Sequence, residues 1–472
     1  MIFFPCTELF CTKISSLVIT FISNRQKEYR SVKKILIIPY LGLLLFLNPF
    51  QSTAQINPDT SLGKGTLESC VRYALFHNPR LQQSLLDEEI TDQGIKTKLA
   101  DWFPQLNFNF NLIHNYKLPV SIVAGAPFQA GTINSSSGLF SVTKTIFGRD
   151  VLLAATTASD VREAAKQNTV SNRMDIVINV SKAFYSVLLA RLQIDLVKKD
   201  IIRLRRSQSD AFEQYKAGVT DKNDYKRGTI LLNNAVAELK TEEENLKVRY
   251  SLLKNFMGYN SKNEFQLEYD STMMERDAFI DTSQSLNFNR RIEYKILETQ
   301  RRLSKANLNY YRWSFIPTIS AFGNYNFNYM NDKLAGLYNL NYPNSLVGLQ
   351  LSLPIFEGGK RYHEILEAEL LLHRTDYDRI ALENSIRTEY TEALAGYKSN
   401  LSNLMMLREN IQLAREVYFT IQLQYKSGVK SYLEVIIAET DLRETQTNYL
   451  NSLYEVLSSK LDVEKALGIV QY

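Results

Sequence analysis

The chain is poor in the features that mark most functional classes. It has three cysteines, and two of them, Cys6 and Cys11, lie before residue 54; Cys70 alone is left in the body, so no intramolecular disulfide can form there. The four histidines, His77, His114, His363 and His373, show no metal-ligand spacing, and His363-Glu364 is not followed by the second histidine of a zinc-binding helix. No metal and no other cofactor is expected. Gly358-Gly359-Lys360 lacks the spacing of a phosphate-binding loop and follows Pro354, so it reads as a strand-to-helix turn. No nucleophile–base constellation appears, which argues against an enzyme.

Excess charge is also lacking. The formal net charge of +5 arises mostly in residues 1–54, where Lys13, Arg25, Lys27, Arg30, Lys33 and Lys34 face only Glu8 and Glu28. The remainder holds 49 basic against 48 acidic side chains, without the basic balance that nucleic-acid binding wants. Charged residues make up 22% and prolines number only 11, so the chain is not a disordered or proline-rich one.

The apolar run Ile35 to Leu47 is too short to span a bilayer comfortably as a mature helix. It follows Lys33-Lys34 and precedes Ser52-Thr53-Ala54, the pattern of a secretory signal peptide cleaved before Gln55. Residues 1–31 fit that pattern poorly and are expected to be a gene-start artefact, with Val32 as the initiating position. No cysteine follows the run at a lipid-attachment position, which argues against a lipoprotein.

The body is helical with a few conspicuous exceptions. Leu106-Asn107-Phe108-Asn109-Phe110-Asn111-Leu112 alternates apolar and amide residues without a slip, the period of a strand with one greasy and one wet face. A second such stretch, Ile319 to Tyr329, lies about 213 residues later, Pro317 matching Pro104. Return strands are expected at roughly Leu139 to Ile146 and Val347 to Leu353, and residues 113–138 read as loop. From Asp150 to Ala217 there is no proline or glycine, which predicts a helix about 100 Å long. Tyr215-Lys216-Ala217-Gly218-Val219 recurs as Tyr425-Lys426-Ser427-Gly428-Val429, so Gly218 and Gly428 mark equivalent turns.

The chain is therefore a duplication, mainly α with a small membrane β part. The expected divisions are 1–54 (signal region), 55–104 (first helices), 105–147 (first β-hairpin), 148–258 (long helix, tip turn, return helix) and 259–285 (polar linker). The last of these is equally a small accessory, equatorial segment; the divisions continue with 286–316 (second-half helices), 317–356 (second hairpin) and 357–472 (second long helix, tip and return). Gly148, Gly358 and Gly359 sit at the strand-to-helix turns.

Four strands cannot close a membrane barrel, and an open sheet edge in hydrocarbon is forbidden by its unpaired backbone groups. If the strands span a membrane, the protein must oligomerise. A dimer supplies eight strands, which enclose side chains; a trimer supplies twelve, which enclose water, so a conduit favours three. Asn107, Asn109, Asn111, Asn324 and Asn326 are then expected to face the lumen, and Leu106, Phe108, Phe110, Leu112, Tyr325 and Phe327 the lipid.

Across residues 66–468 the sequence resembles the TolC-like outer-membrane factors. The most specific pieces are Leu67-Glu68-Ser69-Cys70-Val71-Arg72-Tyr73-Ala74-Leu75-Phe76-His77-Asn78-Pro79-Arg80-Leu81 and Leu351-Ser352-Leu353-Pro354-Ile355-Phe356-Glu357-Gly358-Gly359. The resemblance implies a homotrimer with a 12-stranded β-barrel in the outer membrane and a long periplasmic α-helical barrel. It also implies docking with a periplasmic adaptor and an inner-membrane pump of RND or ABC type, with no nucleic acid involved. Export of small toxic compounds or drugs and type I protein secretion both use this architecture. A reading from another class, a periplasmic or surface coiled-coil scaffold, does not call for paired amphipathic strands in both halves.

Duplication places Asp224 six residues after Gly218 and Glu434 six after Gly428. In a trimer these make six carboxylates near the closed tunnel end, attracting cations. The structural alternative is helix capping, since Ser431-x-x-Glu434 is a capping box and Thr220 or Asp221 can cap the other helix. By the resemblance, Tyr425 and Asp224 match a latch that closes the tips, with Lys430 standing where the family has an arginine and Ile437 at a second acidic position. Lysine offers a point charge rather than a bidentate fork, which predicts a weaker or displaced latch. Trp102, Phe103, Trp313 and Phe315 flank the strands and read as interfacial belt residues, with core packing at the helix–strand junction as the alternative.

Overall fold

The computed structural model describes residues 65–123, 125–260, 265–268 and 271–470. The expected signal segment and suspected false start lie outside them. The first half runs α1 (Leu67–His77), α2 (Pro79–Ala100), β1 (Gln105–His114), β2 (Val120–Val123), β3 (Ala126–Gln129), β4 (Asn134–Phe147), α3 (Arg149–Lys216) and α4 (Lys222–Met257). A short α5 (Ser271–Asp277) precedes the second half: α6 (Ile292–Arg312), β5 (Thr318–Asn331), β6 (Asn344–Ser352), α7 (Lys360–Lys426) and α8 (Tyr432–Leu467).

The two long helices have 68 and 67 residues, uninterrupted by proline. A helix of that length needs neighbours throughout. Along α3 these are α2 and α4 laid end to end; along α7 they are α6 and α8. Each joint between stacked helices is built alike. The chain leaves α4 through Gly258 (φ +67) and α8 through Gly468 (φ +68). A Cβ on Gly258 would stand 2.5 Å from the His77 carbonyl oxygen, and one on Gly468 2.9 Å from that of Arg290. Glycine is needed twice over here, for the left-handed turn and for the close approach. Among the described residues, the second half has no helix matching α1: a 3-10 turn, Phe288–Arg290, stands before α6.

The main core lies midway along the long helices. Ile176, Val180, Phe184 and Val187 of α3 pack with Cys70 and Ala74 of α1, Leu253 and Met257 of α4, Tyr397 of α7, and Val456 and Leu457 of α8. Leu267, Met274 and Ala278 complete it. The described residues of the segment expected as a linker or small accessory segment are docked on this core. Its composition hides this because few side chains anchor it: the Tyr397 hydroxyl donates to the Ala278 carbonyl (2.9 Å) and accepts from the Ile280 N–H (3.1 Å).

Four of the strands form one antiparallel sheet in the order β1-β4-β5-β6, so β4 and β5 join the halves and β1 and β6 are its edges. The stretch 113–138, expected as loop, holds the β2–β3 hairpin and the start of β4. Ser135-Ser136-Ser137-Gly138 reads as loop by composition but pairs on both sides. Small side chains are wanted there, because the Gly138 position is crowded by the Phe108 ring at 3.4 Å and Ser136 accepts from the Tyr338 hydroxyl.

Candidate channel wall and tips

The register carries the β1 pattern across the whole sheet. Leu106 pairs with Val142, Phe108 with Phe140 and Phe110 with Gly138; these in turn meet Gly323, Tyr325 and Phe327. Gly323 then faces Val347, and Ala321 and Ile319 face Leu349 and Leu351. Partners directly across a sheet share a face, so all these apolar residues lie on one side. Phe108 and Phe140 pack with their rings tilted and centroids 4.6 Å apart. The other side carries Asn107, Asn109 and Asn111 against Ser141, Leu139 and Ser137, then Asn324, Asn326 and Asn328. Asn326 donates to Asn328 at 2.8 Å along its own strand.

The apolar side is uncovered within the subunit. Leu106 is 67% exposed and Val347 90%. Each large apolar side chain left in water forgoes about 1.5–3 kcal/mol, so a continuous face of them requires a nonaqueous neighbour. The edges β1 and β6 require strand partners. Trp102, Phe103 and Phe315 are exposed where helices meet strands, and Arg361 lies over the Phe315 ring, 5.3 Å from its centroid. At the junctions, Gly148 is extended backbone preceding α3, whereas Gly358 and Gly359 both have positive φ before α7.

At the far end the long helices turn through Gly218 (φ +69) and Gly428 (φ +75). The turns match bond for bond: Gly218 and Gly428 donate to the carbonyls of Tyr215 and Tyr425 at 3.0 Å, and Val219 and Val429 to those of Gln214 and Gln424 at 2.9 Å. The caps differ. Asp221 caps α4 by accepting from the Asn223 N–H, while Ser431 and Glu434 form the capping box of α8.

Asp224 and Glu434 are equivalent by duplication but not by environment. Burial and the nearby Asp221 carboxylate raise the Asp224 carboxyl above its usual value, with Arg227 opposing. Hydrogen bonds from Lys430 and the Ser431 backbone lower that of Glu434. The Lys430 ammonium sits 2.6 Å from Glu434, inside its own hairpin, rather than on Asp224. The Tyr425 hydroxyl donates to Gln214 at 2.7 Å, again not to Asp224. Burial, the Tyr432 hydroxyl and the Asp224 and Asp210 carboxylates together push that phenol up to about 12.

Gln214 thus belongs to the tip contacts without having been marked by any motif. So does Tyr432, whose hydroxyl accepts from Ser207 at 3.2 Å and lies where a Cβ on Gly228 would clash at 2.6 Å. The available signal is spacing: Ser207 and Gln214 are one heptad apart on α3.

An open, two-faced sheet that needs neighbours, continued by long helices to paired tip turns, defines one stave of a multi-subunit outer-membrane channel. Residues 71–258 and 288–469 match the model of the outer membrane efflux protein family, and the chain belongs to that family. It is 18% identical to the outer membrane protein TolC of Vibrio cholerae over 425 residues, covering 86% of this chain and 94% of the relative. Over 185 residues it is 30% identical to the solvent efflux pump outer membrane protein SrpC of Pseudomonas putida, 38% of this chain and 37% of that one. The crystal structure of the outer membrane protein VceC from Vibrio cholerae superposes with a TM-score of 0.68 at 15% identity, over 85% of this chain and 96% of that one.

Proposed function

We infer that the chain assembles as a homotrimer whose sheets close a 12-stranded barrel in the outer membrane and whose helices continue it as a periplasmic tunnel. It is the passive exit duct of a tripartite system, receiving cargo from an inner-membrane pump through a periplasmic adaptor. The observation that carries this reading is the register that gathers the apolar residues on one face of a sheet with two open edges. Hydrocarbon satisfies that face, and only closure with further copies satisfies the edges. Small toxic compounds are the favoured cargo, because the SrpC relative is named for solvent efflux.

Within this reading, Asn107, Asn109, Asn111, Asn324 and Asn326 line the lumen, and Leu106, Phe108, Phe110, Leu112, Tyr325 and Phe327 meet lipid. Asp224 and Glu434 form the acidic ring at the tip. The Tyr425–Gln214 contact takes the place of the Tyr425–Asp224 latch within the subunit. The test is fractionation followed by reconstitution. The protein is expected in the outer-membrane fraction, as a trimer that dissociates only on boiling, forming conducting pores in planar bilayers; recovery wholly in the soluble periplasm refutes the reading.

A further inference from the structure

The two hairpins, α3/α4 and α7/α8, are held to each other differently from the way each is held together. Within α3/α4, Val197, Ile201, Leu204 and Ala235 form an apolar cluster; within α7/α8, Tyr418, Ala438 and Leu442 form another. Between the hairpins, tip-ward of the main core, the seam is polar, and on α3 its members recur by heptads. Above Gln214–Tyr425 and Ser207–Tyr432, the next residues in step are Asp200 on α3 and Glu439 on α8. Seven residues further along α3, and twelve along α8, Gln193 donates to Asn451 at 2.9 Å. Polar residues at heptad positions fix register at a cost in stability, so this seam is specific but weak.

Its centre is a buried charge cluster. Asp200 is 1% and Glu439 5% exposed. One guanidinium serves both: Arg203 pairs with Asp200 and lies 3.7 Å from Glu439 Oε1. Asp200 Oδ2, Glu439 Oε1 and Arg203 Nε have no hydrogen-bond partner. The other groups facing the cluster are Arg443 on α8, bonded to Glu238 of α4 at 2.9 Å, and the Tyr418 ring of α7, 5.6 Å from the Arg203 guanidinium. Tyr432 lies toward the tip, close enough for its hydroxyl to feel the Glu439 charge. With Asp200, Glu439 and Glu238 ionised against Arg203 and Arg443, the cluster carries one uncompensated negative charge. A single proton balances it.

We propose that Glu439 is a proton-operated lock on this seam: neutral, it lets α8 stay seated on α3, and ionised, it loosens the two hairpins and favours parting of the tips. Burial is the largest influence on the carboxyl and Asp200 adds to it, outweighing Arg203 and Arg443 and lifting it from 4.5 to about 7. When the seam parts, the group returns to water and its ordinary value. A carboxyl raised in the seated state binds its proton more tightly there, so the seam is strongest below the ordinary carboxylate range. It weakens as pH rises from there to about 7. One proton limits the change in the ratio of seated to parted forms to about tenfold per pH unit.

The proposal rests on the channel reading for its effect on conduction, and the test separates the two. Full-length wild type and Glu439→Gln are compared in planar bilayers and by thermal melting of the detergent-solubilised trimer, from about pH 5 to pH 8. Wild-type conductance is expected to rise across this window, while Glu439→Gln loses most of that rise and keeps only the part set by the other raised carboxyls, Asp200 and Asp224. A wild-type profile in Glu439→Gln, or a flat wild-type profile, overturns the lock. In melting, Glu439→Gln is expected to match wild type at pH 5 and exceed it at pH 8; a lower melting temperature at pH 8 overturns the lock independently. Absence of any conductance in both proteins refutes the channel reading instead, and the melting comparison still decides the role of Glu439.

Discussion

Asn78 ties together two helices that are far apart in sequence: its side-chain amide donates to the Phe256 carbonyl at 2.6 Å, while its Oδ1 accepts from the Arg80 and Leu81 N–H groups at 2.8 and 3.3 Å. One side chain therefore caps the start of α2 and satisfies a carbonyl at the end of α4. At the equivalent joint, Arg291, only 3% exposed, reaches the Lys465 carbonyl at 3.1 Å and Glu389 at 2.6 Å. Asn78→Ala removes both functions and is expected to cost about 1–3 kcal/mol, read as a lower melting temperature of the trimer. Asn78→Asp keeps the cap but turns a carboxylate toward the Phe256 carbonyl. It should melt below wild type; equality with wild type would show that the link to α4 contributes nothing.

The same joints predict a contrast between glycines. Gly258→Ala must force a Cβ against the His77 carbonyl in a left-handed turn, whereas Gly218→Ala meets nothing within 4 Å. Both pay the backbone strain of positive φ, on the order of 1 kcal/mol. Only Gly258→Ala should also separate α2 from α4 and reduce the yield of assembled trimer. Equal yields for the two variants would refute the close-packed joint.

At the tips, Asp224 and Glu434 should titrate in separate steps, because one carboxyl is raised and the other lowered. On acidification the Asp224 share of cation preference disappears first and the Glu434 share persists to lower pH. Reversal potentials under a KCl gradient measure this directly. Asp224→Asn is expected to delete the upper step and Glu434→Gln the lower one. Lys430→Ala removes the largest influence holding Glu434 down, moving its step toward the ordinary carboxylate range. A single unaltered step in all variants would exclude these residues from the conduction path.

Much of the architecture was legible because it rests on local rules. The proline- and glycine-free run to Ala217 announces α3, the alternating Leu106–Leu112 announces β1, and the repeated Tyr-Lys-x-Gly-Val announces both tips. What stayed hidden depends on tertiary partners. Ser135–Gly138 reads as loop until Phe108 and Tyr338 show why small residues are needed. The segment around Ala278 reads as linker until the Tyr397 hydroxyl is found holding its backbone. The resemblance places Lys430 where it would meet Asp224, yet Glu434, four residues along the same hairpin, takes its charge. The buried Glu439 cluster has no motif, since its members come from three helices with Tyr418 of a fourth beside them.

Tyr397 provides a sharp test of that docked segment. Tyr397→Phe leaves the ring in the core but strands the Ala278 carbonyl and the Ile280 N–H, at an expected cost of about 1–3 kcal/mol. Because the loss is local, limited proteolysis is the sensitive readout. Cleavage between residues 278 and 285 should accelerate roughly tenfold or more for a cost of 1.4 kcal/mol or above, while the melting of α3 and α7 changes little. Unchanged cleavage would mean that the segment is held by its apolar contacts alone.

The last prediction concerns the two faces of β1. Cys70 is fully buried and its thiol is pushed up to about 12 by desolvation, so it will not compete for thiol reagents at neutral pH. A cysteine at Asn109 should react with a membrane-impermeant reagent added to intact trimers in lipid, whereas one at Phe110 should stay unreactive until the bilayer is dissolved. Phe110→Arg should cost about 2–4 kcal/mol per subunit if the residue lies near the bilayer midplane, reducing assembly, while Asn109→Arg should assemble and change only conductance. The neighbours share one strand and differ by a single step of the pleat. Equal labelling of the two positions would therefore remove the sheet from the membrane and, with it, the reason for the chain to oligomerise.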